Sequence, residues 1–404
     1  MRTVSVVLDI QTQALDSSYA YVVPEEMDDV AVGCAVLVEF GRRRAVGYVM
    51  EVREEDFSPE EDAVFLGVAD AQGERSADAS ASSKLKPVLA VLSAPYFDED
   101  GAALIEYIAT TYIAPLSACV HLLTPVGRTP KVQKKGDSWE LQKPARRRKK
   151  DAGDFTPLSD EEISRRARAL ESFELTQGQA EAFALVSECL HRGCGEVALI
   201  DGVTGSGKTE VYLRAIRACL EKGCGALVLV PEIALTPQTV SRFEGRFGRT
   251  VAVMHSRMTA GERFDQWEAV RQGEKRVVVG ARSALFCPME RLGLIIIDEE
   301  HENTYKQESA PRYHARDVAA WMAKRHGAAL VLGSATPSIE SLCRCKADPS
   351  WHRIALPERA NGKSLPEVDV IDMAKEFSKG SRSMFSRSLS EALFAALDAG
   401  RKAV

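Results

Sequence analysis

The sequence contains no run of about 18 apolar residues, the length a membrane-crossing helix needs, and none is expected. It also has no Cys-x-x-Cys pair among its nine cysteines; Cys343 and Cys345 are the closest two. That absence excludes the common zinc-ribbon and redox-pair spacings, so no zinc ligands are expected in this chain. Free thiols in a reducing compartment are the expectation instead. The start, Met1-Arg2-Thr3-Val4-Ser5-Val6-Val7-Leu8-Asp9, meets a charge too early for a signal peptide, which points to the cytoplasm. Aromatics make up only 7% of the 404 residues, and the net charge is −6, so a uniformly basic nucleic-acid coat is excluded.

Charge is unevenly spread. From Arg128 to Lys150 there are ten Lys or Arg against two acids, ending in Arg146-Arg147-Arg148-Lys149-Lys150. Such a run is either solvated or laid on a phosphate backbone. Residues 51–83 are acidic, then rich in Ser, Ala and Asp, and read as a disordered insertion. Residues 1–127 otherwise read as a small β-rich domain. Strands are expected over Thr3–Leu8, 35–40, 45–50 and 84–92, with 41–44 as a hairpin tip, and a helix over Asp98–Tyr112. Residues 128–171 read as a basic linker with one short helix near 160–170.

From Leu175 the pattern changes. Apolar strands at 197–200, 226–230, 251–254, 277–279, 294–297 and 329–332 alternate with helical stretches, which predicts an α/β lobe with a mostly parallel sheet. Gly202-Val203-Thr204-Gly205-Ser206-Gly207-Lys208-Thr209 fits G-x-x-x-x-G-K-[ST] and lies between a strand and a helix. Glycines there turn backbone N–H groups towards phosphates, Lys208 supplies a cation for the β- and γ-phosphates, and Thr209 supplies a hydroxyl for Mg²⁺. Leu294-Ile295-Ile296-Ile297 runs into Asp298-Glu299-Glu300-His301, placing acids at the carboxyl end of a buried strand. Asp298 is the candidate ligand for hydrated Mg²⁺ and Glu299 the residue that orients water. Gly333-Ser334-Ala335-Thr336 follows the next strand and could hydrogen-bond the acidic box.

This order of motifs resembles superfamily 2 helicases of the DExH type, with a P-loop NTPase (RecA-like) lobe. Leu175-Thr176-Gln177-Gly178-Gln179 resembles their adenine-reading Gln motif, with Gln179 in the amide position; Thr176 as an ordinary helix cap is the alternative. Longer strings resemble one family, the PriA replication-restart helicases. They are Val228 to Gln238, Val279 to Phe286, and the loop Tyr305-Lys306-Gln307 with Arg312 to Asp317. The resemblance implies ATP and Mg²⁺ as cofactors, 3′-to-5′ DNA unwinding at stalled forks, and primosome and single-strand-binding proteins as partners in a nucleoid setting. Thr236, Arg282 and Ser283 become candidate phosphate contacts, and Tyr305, Arg312, Tyr313 and Arg316 candidate base-stacking groups. Packing of those aromatics onto their own lobe is the alternative.

The N-terminal part resembles the family's 3′-end-binding domain through Ser18 to Pro24, Phe40-Gly41 and Leu85-Lys86. Tyr19 would stack on a terminal base, Gly41 would allow close approach and Lys86 would meet phosphate; core packing is the alternative for Tyr19. Ala20 stands where the family often has a carboxylate, which departs from its 3′-hydroxyl pocket. Only about 45 residues are left for the family's winged-helix domain before the lobe at 172–345. Residues 346–404 read as the approach to a second lobe. The family's zinc-binding cysteine pairs and the arginines that reach the γ-phosphate belong to that further part, so this chain alone is expected to be a weak ATPase. Another DExH translocase, or a DNA-binding scaffold that holds ATP without turnover, are the competing readings.

Overall fold

The computed structural model describes residues 2–10, 17–41, 43–54, 85–125, 127, 129–135, 138–141, 174–360, 362, 368–378, 380 and 382–402. The expected insertion at 51–83 falls almost wholly outside these residues, as do the basic run 146–150 and the short helix near 160–170.

The N-terminal strands β1 (Arg2–Leu8), β2 (Ser18–Val22), β3 (Ala35–Phe40), β4 (Arg43–Glu54) and β5 (Val88–Val91) form an antiparallel sheet in the order β2-β1-β4-β3-β5. Its two edges approach each other: Val22 bridges to Pro87, and the Val22 N–H donates to the Lys86 carbonyl at 3.0 Å. Val4, Val6, Val36, Val38 and Val49 fill the core of this curled sheet. Two helices follow, α1 (Glu99–Tyr112), capped by Asp98, and α2 (Leu116–Leu123). A two-stranded hairpin, β6 (Val132–Lys135) with β7 (Ser138–Leu141), lies within the stretch expected to be linker.

The second layer system starts with α3 (Gln177–Arg192) and β8 (Val197–Gly202), then α4 (Lys208–Glu221), β9 (Gly225–Leu229), α5 (Pro237–Phe247), β10 (Val251–Met254), α6 (Ala260–Arg271), β11 (Val277–Gly280), β12 (Leu292–Asp298), α7 (Ala315–His326), β13 (Ala329–Ser334), α8 (Ile339–Ala347) and β14 (Trp351–Leu356). Seven strands pair in parallel in the order β10-β11-β9-β12-β13-β8-β14. All six strands expected from sequence are present. The seventh, β14, runs beyond the expected lobe boundary at 345 and pairs along β8.

Strand alternation divides the core. Leu227, Leu229, Ile295 and Ile297 face one side, while Ala226, Val228, Leu294 and Ile296 face the other. The first side also takes in Ile105 and Ile108 of α1 and Val120 of α2, so the N-terminal helices pack on the lobe through a shared apolar core. Tyr107 stacks on Trp321 at 5.0 Å, and Arg325 pairs with Asp100 at 2.7 Å across the same junction. A separate compact unit comprises residues 362–404. It holds α9 (Met373–Ser378) and α10 (Arg387–Asp398), and Ser386 caps α10.

Candidate nucleotide-binding site

The turn from β8 into α4 is shaped by its glycines. Gly205 and Gly207 have φ of +83° and +82°, a region that side-chain-bearing residues rarely adopt. A Cβ on Gly207 would also lie 2.2 Å from the Gln179 amide nitrogen. Val203 N–H donates to the Leu356 carbonyl at 3.1 Å, and Ala360 N–H donates to the Gly205 carbonyl at 2.9 Å, so β14 and the segment after it brace the loop. Thr204 is exposed, while Ser206 is buried with no hydrogen-bond partner for its Oγ. Lys208 opens α4; its Nζ donates to the Gly202 carbonyl at 2.7 Å and stands 3.8 Å from Glu299 Oε1. Thr209 follows in the first turn. A phosphate-shaped turn, an orphaned buried hydroxyl and a buried lysine facing a carboxylate fit a nucleoside triphosphate with its metal.

Asp298 ends β12 opposite Gly333 of β13. Its Oδ1 accepts from the Tyr212 hydroxyl at 2.9 Å, and its carbonyl accepts from the Tyr305 hydroxyl at 2.6 Å. Burial raises the Asp298 carboxyl above its ordinary range, against the Tyr212 hydrogen bond and the Lys208 charge, both of which lower it. Burial, and then the Asp298 charge, drive the Tyr212 hydroxyl well up, so Tyr212 stays protonated and donates to Asp298. Glu299 has φ of +48°, strained for a residue with a side chain, and lies between Lys208 and His301 Nδ1, the latter 3.7 Å away. Glu300 turns inward. It accepts from Ser338 N–H at 2.7 Å, from the Ser338 and Ser341 hydroxyls at 3.0 Å each, and from Arg316 at 3.3 Å. His301 Nδ1 is 2.7 Å from the Ser334 hydroxyl, which accepts from Thr336 N–H at 3.0 Å. The acidic box and the Gly333–Thr336 segment are therefore joined, as the sequence suggested.

Several expected ligand contacts are corrected by burial. Tyr305 and Tyr313 are each only 1% exposed: Tyr305 bonds to backbone carbonyls beneath the sheet edge, and Tyr313 packs edge-on to Phe286 at 5.1 Å. Neither ring face is open to a base. Arg316 is enclosed with Glu300, Ser338 and Ser341. Of that group Arg312 alone is exposed. Gln179 is also buried: its Oε1 accepts from Thr176 N–H and its Nε2 donates to the Ser206 carbonyl at 2.9 Å. It braces the phosphate loop and closes a capping box with Thr176, which takes its amide away from an adenine edge. Thr236, exposed, caps α5, and Ser283 is exposed in the short 3-10 helix Arg282–Phe286 that follows β11. Arg282 donates to the Thr304 and Lys306 carbonyls and lies 5.7 Å from the Tyr313 ring centre.

At the far end of the N-terminal sheet, Tyr19 meets Phe40 edge-on at 5.0 Å. Lys86 Nζ donates to the Gly41 carbonyl at 2.9 Å and is 3.8 Å from Glu39. Gly41, at φ of +58°, forms the turn into β4. Tyr19, Gly41 and Lys86 thus gather at one rim, with Lys86 engaged by the backbone.

A DEAD/DEAH box helicase model matches residues 176–344. The model of the 3′ DNA-binding domain of PriA matches residues 5–125. Together they give a PriA 3′ DNA-binding domain and a DEAD-type helicase domain in one chain, which is similar to PriA proteins over their N-terminal portion. The replication restart protein PriA of Bacillus subtilis (strain 168) is 51% identical over 234 residues, covering 58% of this chain and 29% of that protein. PriA of Treponema pallidum (strain Nichols) is 32% identical over 364 residues, covering 90% of this chain and 48% of that protein. The chain therefore spans less than half the length of these PriA relatives.

Within this PriA frame, sequence reasoning missed Tyr212, which lies one helical turn after Lys208 and reaches Asp298. It explains Gly333: a Cβ there would stand 1.6 Å from the Tyr212 hydroxyl. The Ser338–Ser341 pair that holds Glu300 was also missed, because it follows the last motif. Tyr112, in the PriA 3′ DNA-binding match, accepts from His314 N–H at 3.3 Å and lies under Lys306, whose Nζ is 5.2 Å from its ring centre. The two matched domains thus meet at the loop that carries Tyr305.

Proposed function

We propose that this chain forms the nucleotide-binding and 3′-end-binding part of an ATP-dependent 3′-to-5′ DNA helicase that restarts replication at stalled forks. The observation that carries the reading is the approach of Lys208 to Glu299 at 3.8 Å, beside the half-buried Asp298 at the carboxyl edge of a parallel sheet. Bound Mg²⁺·ATP would supply the phosphoryl group that is transferred to water. Lys208 would exchange its Gly202 carbonyl contact for phosphate oxygens, and the Thr209 hydroxyl and Asp298 would hold the metal. Glu299 orients water and takes up its proton. His301, bonded to Ser334, links that change to the segment after β13.

DNA contacts are assigned to the exposed Thr236, Ser283 and Arg312 on the lobe, and to the rim of half-buried Tyr19 with exposed Gly41 and Lys86 for a strand end. Arg282 acts indirectly, by fixing the Thr304–Lys306 backbone. Primosome and single-strand-binding proteins are the partners proposed for the whole family member. The chain alone is proposed to turn ATP over slowly.

The test is binding and ATP turnover with forked DNA, single-stranded DNA and duplex RNA. Preference for forked DNA with a free 3′ end, and slow turnover lost in Lys208→Ala, supports the reading. Preference for duplex RNA would transfer it to another translocase class. Turnover equal in wild type and Lys208→Ala would leave a DNA-binding scaffold.

A further inference from the structure

The opposite end of the helicase lobe carries a group of side chains that the nucleotide site does not use. Cys189 lies on the last turn of α3, Glu196 immediately precedes β8, and His352 is the second residue of β14. One ligand atom from each lies within 4.8 Å of the other two. Glu196 Oε1 accepts from Arg192 at 2.7 Å, but its Oε2 is buried with no hydrogen-bond partner. His352 Nε2 is likewise buried and unpartnered, 3.6 Å from Glu196 Oε1. Two buried polar atoms without a hydrogen bond of ordinary geometry thus converge with a buried thiol that interacts with the Glu196 carboxylate.

The structure assigns to Cys189, Glu196 and His352 a binding site for a zinc-class divalent cation. Thiolate, imidazole and carboxylate are the donor set that zinc takes. Metal–ligand bonds of about 2.0 Å at a tetrahedral angle place nitrogen and oxygen ligands roughly 3.3 Å apart, inside the 4.8 Å that bounds the three donor atoms. Arg192 occupies one carboxylate oxygen and leaves the other for the metal. Binding forms S–Zn, N–Zn and O–Zn bonds, and the Cys189 thiol proton leaves to solvent; nothing is oxidised.

The consequence is mechanical. The site would join α3, β8 and β14, and the other ends of these three elements hold the phosphate loop through Gln179, Gly202 and Leu356. Strand β8 alone places the cation about 20 Å from that loop, so it would act as a fastening and take no part in ATP chemistry. The site is separate from the Cys-x-x-Cys zinc sites expected of the family.

The test uses the 404-residue chain carrying Cys194→Ser and Cys343→Ser, which removes the two exposed thiols. After chelator treatment the protein is titrated with Co²⁺ and then Zn²⁺. One equivalent of Co²⁺ should give thiolate-to-metal charge-transfer absorption, and Zn²⁺ should displace it and raise the melting temperature. Cys189→Ala should abolish the band, and His352→Gln should weaken Co²⁺ binding at least tenfold. No band in the parent protein, or a band unchanged in Cys189→Ala, would overturn the site. Should Cys189→Ala fail to fold, His352→Gln decides, and unchanged affinity there overturns the site equally. Nucleotide binding is read separately, so failure of the metal site leaves the helicase reading standing.

Discussion

The Tyr305 hydroxyl lies 2.6 Å from the backbone carbonyl of Asp298 and 3.2 Å from that of Leu229. One buried side chain therefore anchors the loop after the acidic box directly to the residue that would hold Mg²⁺. The same loop meets Tyr112 of the N-terminal domain at His314. A change at the DNA-end-binding domain has a short packed route to the end of β12.

Tyr305→Phe keeps the ring and removes the donor, leaving two buried carbonyls without it. A loss of about 1–3 kcal/mol in unfolding free energy is expected from urea denaturation. Nucleotide affinity should change little, because no phosphate contact is removed. The effect of 3′-ended DNA on ATP turnover should shrink, since the anchor that joins loop and acidic box is gone. An unaltered DNA response would show that this anchor does not transmit it.

Glu300 and Arg316 form a buried ion pair supported by Ser338 and Ser341. Removing one partner strands the other in a dry interior, a loss of about 3–5 kcal/mol. Glu300→Ala and Arg316→Ala should each destabilise by that order, and the double variant by clearly less than their sum. Additive losses in a denaturation cycle would mean the two side chains do not act as a pair.

Asp298 has its carboxyl raised by burial, so its ionised form works against folding. The sign follows from proton binding. Between the unfolded value near 3.8 and the raised folded value, the folded state binds more proton, and stability falls as pH rises. Above the folded value the whole penalty is present. Asp298→Asn, which keeps the acceptor for Tyr212, should therefore melt at a higher temperature than wild type at pH 7, and that advantage should fade as the pH is lowered towards 3.8. ATP turnover should be lost throughout. A melting difference independent of pH would contradict the assigned cause.

The central strands were legible because unbroken apolar runs such as Leu294–Ile297 are buried on both faces. The phosphate loop and acidic box were legible because their spacing is set by backbone chemistry. β14 was not, because Trp351-His352-Arg353-Ile354-Ala355-Leu356 mixes buried and exposed positions, as an edge strand does. Tyr305, Tyr313 and Arg316 were misassigned to DNA because aromatic and cationic residues have the same composition in a base-stacking loop and in a satisfied buried network. Gln179 illustrates a different limit. Its amide suits adenine and a carbonyl equally, and only the fold shows that Ser206 claims it. The cluster of Cys189, Glu196 and His352 had no sequence signal, since strand pairing alone brings His352 beside Glu196.

The most direct measurement is calorimetric titration of the purified chain with a non-hydrolysable ATP analogue in the presence and absence of Mg²⁺. Wild type should bind one equivalent, more tightly with Mg²⁺ than without, and Lys208→Ala should weaken binding at least tenfold. Asp298→Asn should abolish the difference that Mg²⁺ makes. Binding that ignores Mg²⁺ and both substitutions, or no binding at all, would contradict a nucleotide and its metal held between Lys208 and Asp298.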